Sequence, residues 1–521
     1  MTTITKTTGA LPTVTITKEE YPDWGDYVGS VPFTLAASDS FDRANGGLGS
    51  TDGAGTDGVT GGSGKVWTAQ WGTWAIATNT ARATALDGGS AFAIATIDTG
   101  ETDGVIMSKA NAVSSLTVAH VVRFVDVDNQ VQVRMNQAGA WNVRQIIGGG
   151  SGSVLLSGSG VSWVQGAELI TRLDGLRLSI EYNGEYLGSI EINVAFASST
   201  IFGMLLNAAS SVVNFEEWHF IKLPVYESRN GASVVKANVG EYLITTPMIG
   251  DLTRCAEWAM RQEKLTVAGY AFTSNVRRIY DLSLVTVSTG AKEVLQSGGN
   301  GWESAQTIGA DADVVGDYGF FGTVHQSEQS QSFAISATTH TISRWNRYYS
   351  PVTILQTINT IYPADKATTI GTTTLQHLFT STGLWLTRSH TYEAGYKLYS
   401  AYGAMMPFNT AASVIDRYQV GTEDAAAIAA DGATKNLGTL ATIFRAWLDG
   451  GDFTLVMQLP TGGPENTLGY TNAPDYAGWM SDNATTPQKF YANYVDTTFG
   501  DRITAATSAH TVRYYIENGT P

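Results

Sequence analysis

Short runs of alternating apolar and polar residues, separated by glycine-rich and asparagine-rich turns, dominate the first half of the chain. Residues 130–135 alternate with a period of two, as a strand with one wet face does. Residues 116–124 are mostly apolar and β-branched, which suits a largely buried strand. Asn183-Gly184 separates two further apolar runs and predicts a hairpin with a tight turn. The pattern predicts an antiparallel β-sandwich over residues 36–225.

A second set of strand-like runs follows a polar segment at residues 226–240, which we interpret as a linker. We expect residues 241–521 to form a larger β-sandwich with little helix. The one predicted helix is Leu252–Leu265, because Asp251 can cap it and several small or apolar side chains fall on one face.

Residues 1–35 carry an acidic segment with clustered aromatic side chains, Tyr21, Trp24 and Tyr27. Exposed Trp and Tyr side chains usually find a partner surface. We therefore expect an amino-terminal arm that docks on another protein; the alternative is a solvated leader.

Composition narrows the possible functions. The 521 residues are too many for one hydrophobic core. The net charge of -16 opposes phosphate backbones, so we expect no nucleic-acid partner. One cysteine, Cys255, excludes an intrachain disulfide and a cysteine-built zinc site. No apolar run is long enough for a membrane span, and the amino terminus lacks the apolar core of a signal peptide, so we expect neither membrane insertion nor export by that route.

Four stretches carry a resemblance to a known family. They are Asp39–Gly49, Trp71–Ile76, the Asn183-Gly184 hairpin and Phe215–Trp218. In this order they are similar to the concanavalin/laminin-G-like jelly-roll modules of bacteriophage minor tail and tail-fibre proteins. The resemblance implies a two-sheet antiparallel sandwich, carried on a virion, that often binds glycans or acts in adhesion.

Tryptophans are the candidate glycan contacts, because sugar C–H faces stack on indole rings. We expect Trp67, Trp71 and Trp74 to fill the space between the sheets. Trp141 and Trp163 lie near glycine- and serine-rich loops, so these two are the predicted exposed, glycan-binding residues.

The sequence contains a candidate catalytic group and a candidate calcium-binding group. Arg388, His390 and Tyr392 share one strand parity and would be the residues of a lyase-type site; the alternative is an ordinary wet face. Asp52 and Asp57 offer oxygen ligands for calcium, but Asp-Gly pairs more often form simple turns. We predict no catalytic residues, no metal and no cofactor.

The leading hypothesis is a structural and adhesive virion protein, a tail-fibre or minor tail subunit. It would be made in the host cytoplasm without a signal peptide, contact other virion proteins and a host-surface glycan, and assemble into a homo-oligomer, with a trimer favoured. The alternatives are a virion-associated polysaccharide depolymerase, either lyase or glycosidase, and a capsid-decorating fibre.

Overall fold

The computed structural model consists of antiparallel sheets throughout the part of the chain that it describes. Within these residues there is no α-helix, and one 3-10 turn, Val194–Phe196, interrupts the strands. The described residues are 3–5, 13–15, 29–57, 59–88, 91–113, 116–223, 232–238, 241–266, 273–296, 306–310, 320–321, 326–335, 338–339, 344–350, 352–361, 371–392, 396–408, 415–428, 434–459, 476–481, 488–496, 503–504 and 508–521.

The strands fall into two groups along the chain. Those of the first group are β1 Thr3–Thr5, β2 Thr13–Thr15, β3 Gly29–Pro32, β4 Thr34–Asp39, β5 Thr68–Trp71, β6 Thr73–Ile76, β7 Ala81–Ala85, β8 Ala93–Asp98, β9 Gly104–Asn111, β10 Thr117–Asp126, β11 Asn129–Asn136, β12 Trp141–Ile146, β13 Ser153–Gly158, β14 Glu168–Asp174, β15 Arg177–Tyr182, β16 Glu185–Glu191, β17 Ile201–Leu206 and β18 Asn214–Lys222. Those of the second group are β19 Ala232–Asn238, β20 Glu241–Met248, β21 Asp251–Thr266, β22 Thr273–Thr286, β23 Lys292–Gln296, β24 Gln306–Ala310, β25 Phe320–Phe321, β26 Gln326–Ile335, β27 Thr338–Thr339, β28 Asn346–Ser350, β29 Val352–Ile361, β30 Gly371–Thr380, β31 Gly383–Tyr392, β32 Tyr396–Phe408, β33 Arg417–Val420, β34 Ala426–Ala427, β35 Thr434–Ala441, β36 Ile443–Trp447, β37 Phe453–Gln458, β38 Tyr476–Ser481, β39 Gln488–Asp496, β40 Ile503–Thr504 and β41 Ser508–Asn518.

Two facing sheets form the first unit. The front sheet has the strand order β13-β12-β11-β10-β17-β8-β5. The back sheet has the order β16-β15-β14-β9-β18-β7-β6, with β4 paired to β18. Side chains between the two sheets form one core that buries Trp67, Trp74 and Trp218. This architecture confirms the predicted all-β sandwich. The predicted hairpin is also confirmed, since Asn183 and Gly184 take positive φ angles of 47° and 77° between paired strands.

Asp39, the first residue of the stretch Asp39–Gly49, anchors this core. The buried carboxylate of Asp39 accepts hydrogen bonds from Trp67 Nε1 at 2.8 Å and from the backbone N–H of Phe41 at 2.9 Å. The Arg43 guanidinium lies against the same carboxylate. Trp67 in turn meets Trp218 edge to face, with ring centroids 5.1 Å apart. Asp39, Arg43, Trp67 and Trp218 therefore have a structural role.

The described residues of the second unit form three sheets. The interface sheet, so named because it packs on the first unit, has the order β23-β22-β21-β20-β19-β28-β3. A ten-stranded sheet has the order β27-β26-β29-β30-β31-β41-β37-β36-β33-β34, and a third has β25-β24-β32-β39-β38-β35 with β40 paired to β32. Apolar side chains from all three meet in a second core.

The predicted helix Leu252–Leu265 is wrong. Residues 251–266 are the long strand β21, paired with β20 and β22. Trp258 and Met260 enter the second core, while Glu257 and Arg261 point to the opposite face, so the side chains follow a period of two. The segment is rich in helix-forming residues, but pairing on both edges outweighs that preference.

Two predicted boundaries cross strands. The proposed linker, residues 226–240, contains β19, which pairs with β20 and β28. The proposed arm, residues 1–35, contains β3, which pairs with β28 of the interface sheet. Both segments therefore contribute strands to the second unit.

A buried ionic network joins the back sheet to the interface sheet. Glu241 of β20 accepts hydrogen bonds from Arg261 Nη2 at 2.8 Å and from Arg172 Nη1 of β14 at 3.2 Å. Lys292 of β23 lies 2.5 Å from both Asp174 of the back sheet and Glu257 of β21. Apolar contacts flank the network, so the outer face of the back sheet is covered.

Glu241 titrates far below its usual range. Burial alone would raise the pKa of its carboxyl, but the positive charges of Arg261 and Arg172 outweigh burial and lower the pKa from 4.5 to about 2. Because the folded-state pKa is depressed, this carboxylate contributes stability that is present above pH 4.5 and is lost as the pH falls toward 2.

Glu241→Gln should lower the free energy of unfolding by about 3–5 kcal/mol at neutral pH, because it leaves two buried arginines short of a counter-charge. Urea denaturation at several pH values checks this, and the difference from the wild type should shrink as the pH falls below about 4. Asp449→Asn, which removes one member of an exposed ion pair with Arg417, is the control and should leave the stability nearly unchanged, because solvent screens the pair. Equal effects of the two substitutions would contradict the assigned role of Glu241.

Candidate functional site

The register of the front sheet places two rows of side chains on its outer face. The rows follow from the paired residues of adjacent strands, which point to the same side of a sheet. One row is Trp71, Ile94, Leu205, Ala119, Arg134, Asn142 and Ser157, and the other is Thr68, Thr96, Gly203, Val121, Gln132, Arg144 and Val154. Neither row contains a carboxylate.

Small and apolar side chains form the floor of this face. Ile94, Ala119, Val121 and Leu205 are buried in a cluster that is separate from the core between the sheets. Trp71 and Phe92 pack against the cluster and are themselves only half-buried. The half-exposed position of Trp71 corrects the expectation that this indole fills the core. The rings of Trp71 and Phe92 thus border the floor near strands β5 and β8.

A relay of side-chain amides runs along β11 on the opposite side of the floor. Gln130 Nε2 donates to Val127 O at 2.9 Å, and Gln132 Nε2 donates to Gln130 Oε1 at 3.0 Å. Arg134 Nε then donates to Gln132 Oε1 at 2.7 Å. Gln130 and Gln132 are buried, so the wet face predicted for residues 130–135 is wrong for these two amides. The relay fixes the orientation of Arg134.

The Arg134 guanidinium lies over the Phe92 ring, with its carbon 4.6 Å from the ring centroid. The register puts Ala119 and Leu205 between β11 and β8, so the arginine side chain reaches across these small residues. Burial, together with the charge of Arg144, lowers the pKa of Arg134 to about 10, so its guanidinium is still protonated at neutral pH.

A polar cavity of about 430 Å³ lies between the back sheet and the interface sheet. Its four basic side chains each form an ion pair with a carboxylate that also lines the cavity: Arg172 with Glu241 and Asp174, Arg177 with Asp281, Arg261 with Glu241, and Lys292 with Asp174 and Glu257. These charges are engaged with one another and join the two units, so we assign the cavity to the interface.

The two predicted glycan-binding tryptophans lie elsewhere. Trp141 is only 7% exposed and packs in the core between the sheets, so the expectation that it is exposed is wrong. The indole covers its cross-strand partner Gly158, the last residue of β13: a Cβ at Gly158 would come within 2.6 Å of the Trp141 ring. Trp163 is half-buried and stacks on Tyr182 with ring centroids 5.4 Å apart. The structure does not bring Trp141 and Trp163 together on one surface.

Arg388, His390 and Tyr392 do lie on one face of β31, but that face is the inside of the second unit. They are 1%, 1% and 9% exposed, so the expected wet face is wrong. His390 Nδ1 lies 2.9 Å from Thr373 Oγ1, and its ring stacks on Tyr392. Burial and the neighbouring charge of Arg388 lower the pKa of His390 to about 3, so the imidazole is neutral at physiological pH.

The remaining predicted residues have structural positions or lie outside the described part. Asp52 accepts hydrogen bonds from Ser40 and Ala54, and Asp57 pairs with Arg344. Among the described residues, no group of three or more His, Cys, Asp or Glu side chains is arranged to hold a metal ion. The predicted docking residues, Tyr21, Trp24 and Tyr27, lie outside the described residues. No helix of the described ranges is long and apolar enough to cross a membrane.

No family model and no curated protein matches the sequence. Among solved structures, the chain is similar to the carbohydrate-binding module CBM66 from Bacillus subtilis, with 14% identity over 30% of this chain and 92% of that one and a TM-score of 0.24. A structure concerned with botulinum neurotoxin type C and two ganglioside molecules shares 9% identity over 58% and 82% of the two chains, with a TM-score of 0.20. NanB sialidase from Streptococcus pneumoniae shares 9% identity over 78% of each chain, with a TM-score of 0.19. At these values the likenesses transfer no residue role to this chain.

Trp141→Ala should lower the free energy of unfolding by about 3–5 kcal/mol, because it leaves a cavity in the core between the sheets. Denaturant unfolding followed by circular dichroism measures the change. Trp163→Ala, which removes a half-buried indole, should cost less. A Trp141→Ala protein as stable as the wild type would contradict the core position of this indole.

Proposed function

We propose that this chain is a structural and adhesive protein that contacts glycan through the outer face of its front sheet, without chemical turnover. One observation carries the proposal: the face combines half-exposed aromatic rings and a fixed guanidinium, both packed over a buried apolar floor. The outer face of the back sheet, by contrast, is buried against the interface sheet. Of the two outer faces of the sandwich, the front one is therefore the better candidate for a ligand surface.

Such a face matches the chemistry of a sugar. The C–H faces of a pyranose ring stack on aromatic rings such as Trp71 and Phe92. Sugar hydroxyls accept hydrogen bonds from guanidinium and amide donors such as those of Arg134 and Asn142, whose side chains share one row of the outer face.

We further propose that the protein belongs to a bacteriophage particle, as a tail-fibre or minor tail subunit. The resemblance of Asp39–Gly49 and Trp71–Ile76 supports this setting. The segment that precedes β3, with Tyr21, Trp24 and Tyr27, would dock on other virion proteins, and a homotrimer would multiply a weak glycan contact by avidity. Mass spectrometry of purified virions should detect the chain. Its absence from the particles would contradict the virion role, and immunogold labelling would separate a tail from a capsid position.

A depolymerase is the competing function. Incubation of the pure protein with host surface polysaccharide distinguishes it from an adhesin, since a lyase creates an ultraviolet-absorbing double bond and a hydrolase creates new reducing ends. The adhesive proposal expects no product. Product formation that depends on His390 or Tyr392 would overturn it.

Phe92→Ala and Trp71→Ala should each weaken binding to the cognate host glycan by about fivefold or more, because each removes a stacking surface worth about 1 kcal/mol or more. Glycan arrays followed by titration calorimetry check this on the full chain. Trp163→Ala is the matched control and should bind as the wild type does. Loss of binding in Trp163→Ala with retention in the other two would move the site to the loops and contradict the proposal.

A further inference from the structure

The orientation of Arg134 leaves part of its guanidinium available. The Nε group is used by Gln132, and the flat face lies on Phe92. Within the described part of the chain, Nη1 and Nη2 of Arg134 form no hydrogen bond or ion pair. The end of the guanidinium that carries two parallel N–H donors is thus preorganised and open.

A second arginine stands beside the first. Arg144 is opposite Gln132 in the register and points to the same outer face. Its guanidinium donates to the backbone carbonyls of Ser151 and Gly152, and no carboxylate among the described residues pairs with it. The two positive charges are close enough to repel each other.

This arrangement differs from that of the arginines at the interface. There, Arg172 and Arg261 share the carboxylate of Glu241. The chain has a net charge of -16, yet these two neighbouring arginines face outward without a carboxylate partner. An anion bound from solution would reduce the repulsion between their positive charges.

We propose that Arg134 and Arg144 recognise the carboxylate of an acidic polysaccharide, which makes the outer face of the front sheet a site for uronate-type glycans. This inference rests on the proposed glycan-binding function and names its ligand class. The carboxylate oxygens accept two parallel N–H bonds from Nη1 and Nη2 of Arg134, and the sugar ring that carries the carboxylate lies near Phe92. Gln132 is a positioning residue, since it acts on the ligand through Arg134.

The test uses the full chain and four probes. They are an oligogalacturonate, the same oligosaccharide with its carboxylates reduced to alcohols, a sulfated dextran oligosaccharide, and oligoglutamate. We expect the wild type to bind the oligogalacturonate about tenfold or more tighter than its reduced form, as one charge-assisted bidentate contact allows. The sulfated and peptide probes should bind more weakly.

The variants separate recognition from folding and from net charge. Arg134→Gln should abolish the preference for the carboxylate, Arg134→Lys should retain part of it, and Gln132→Ala should reduce it with no change in charge. Arg82→Gln is the matched control, because it removes a half-buried arginine of the back sheet from the same unit. Its preference should equal that of the wild type. Thermal denaturation of each variant confirms that it is folded.

The contradicting outcomes are distinct. Equal binding of the oligogalacturonate and its reduced form, or an unchanged preference in folded Arg134→Gln, overturns this inference and leaves the glycan-binding function standing. Tighter binding of the sulfated probe overturns the carboxylate in favour of a sulfate. Equal binding of oligoglutamate, or no binding of any sugar probe, overturns the glycan-binding function itself.

Discussion

The buried ion pairs around Glu241 decide which surfaces of this protein remain open. Glu241 holds one arginine from the back sheet and one from its own sheet, and so fixes the first unit on the second. Buried charges of this kind tolerate little movement, because separating them leaves each one without a counter-charge. The back sheet is therefore committed to the interface. The proposed glycan contact is therefore assigned to the front sheet.

The first of the stretches that carry the family resemblance, Asp39–Gly49, is likewise engaged within the fold. Asp39 pairs with Arg43 and accepts a hydrogen bond from Trp67. The Trp67 ring in turn packs on Trp218. These contacts fix the start of the first unit on its core, so we assign the residues a structural role and not a ligand-binding one. Trp71, the first residue of the next of these stretches, instead points outward to the floor of the front face. Two neighbouring stretches of sequence thus supply the anchor of the fold and one wall of the candidate site.

The sequence predicted local features well, since alternation and Asn183-Gly184 depend on neighbouring residues. It did not predict features that depend on which element covers which face. Residues 251–266 have helix-forming side chains, yet partners on both edges make them a strand. Arg388 and His390 have the parity of a wet face, but a second sheet covers them. Gln130, Gln132 and Arg134 form an alternating run in the sequence, but only the side-chain hydrogen bonds of the structure show that the first two orient the third.

The most direct measurement of the central claim is an experimental structure of the full chain with a bound acidic oligosaccharide. The account predicts a sugar ring on the outer face of the front sheet, against Phe92 and with its carboxylate on Arg134. A sugar bound instead in the cavity between the back sheet and the interface sheet, or at the loop that carries Trp163, would contradict it.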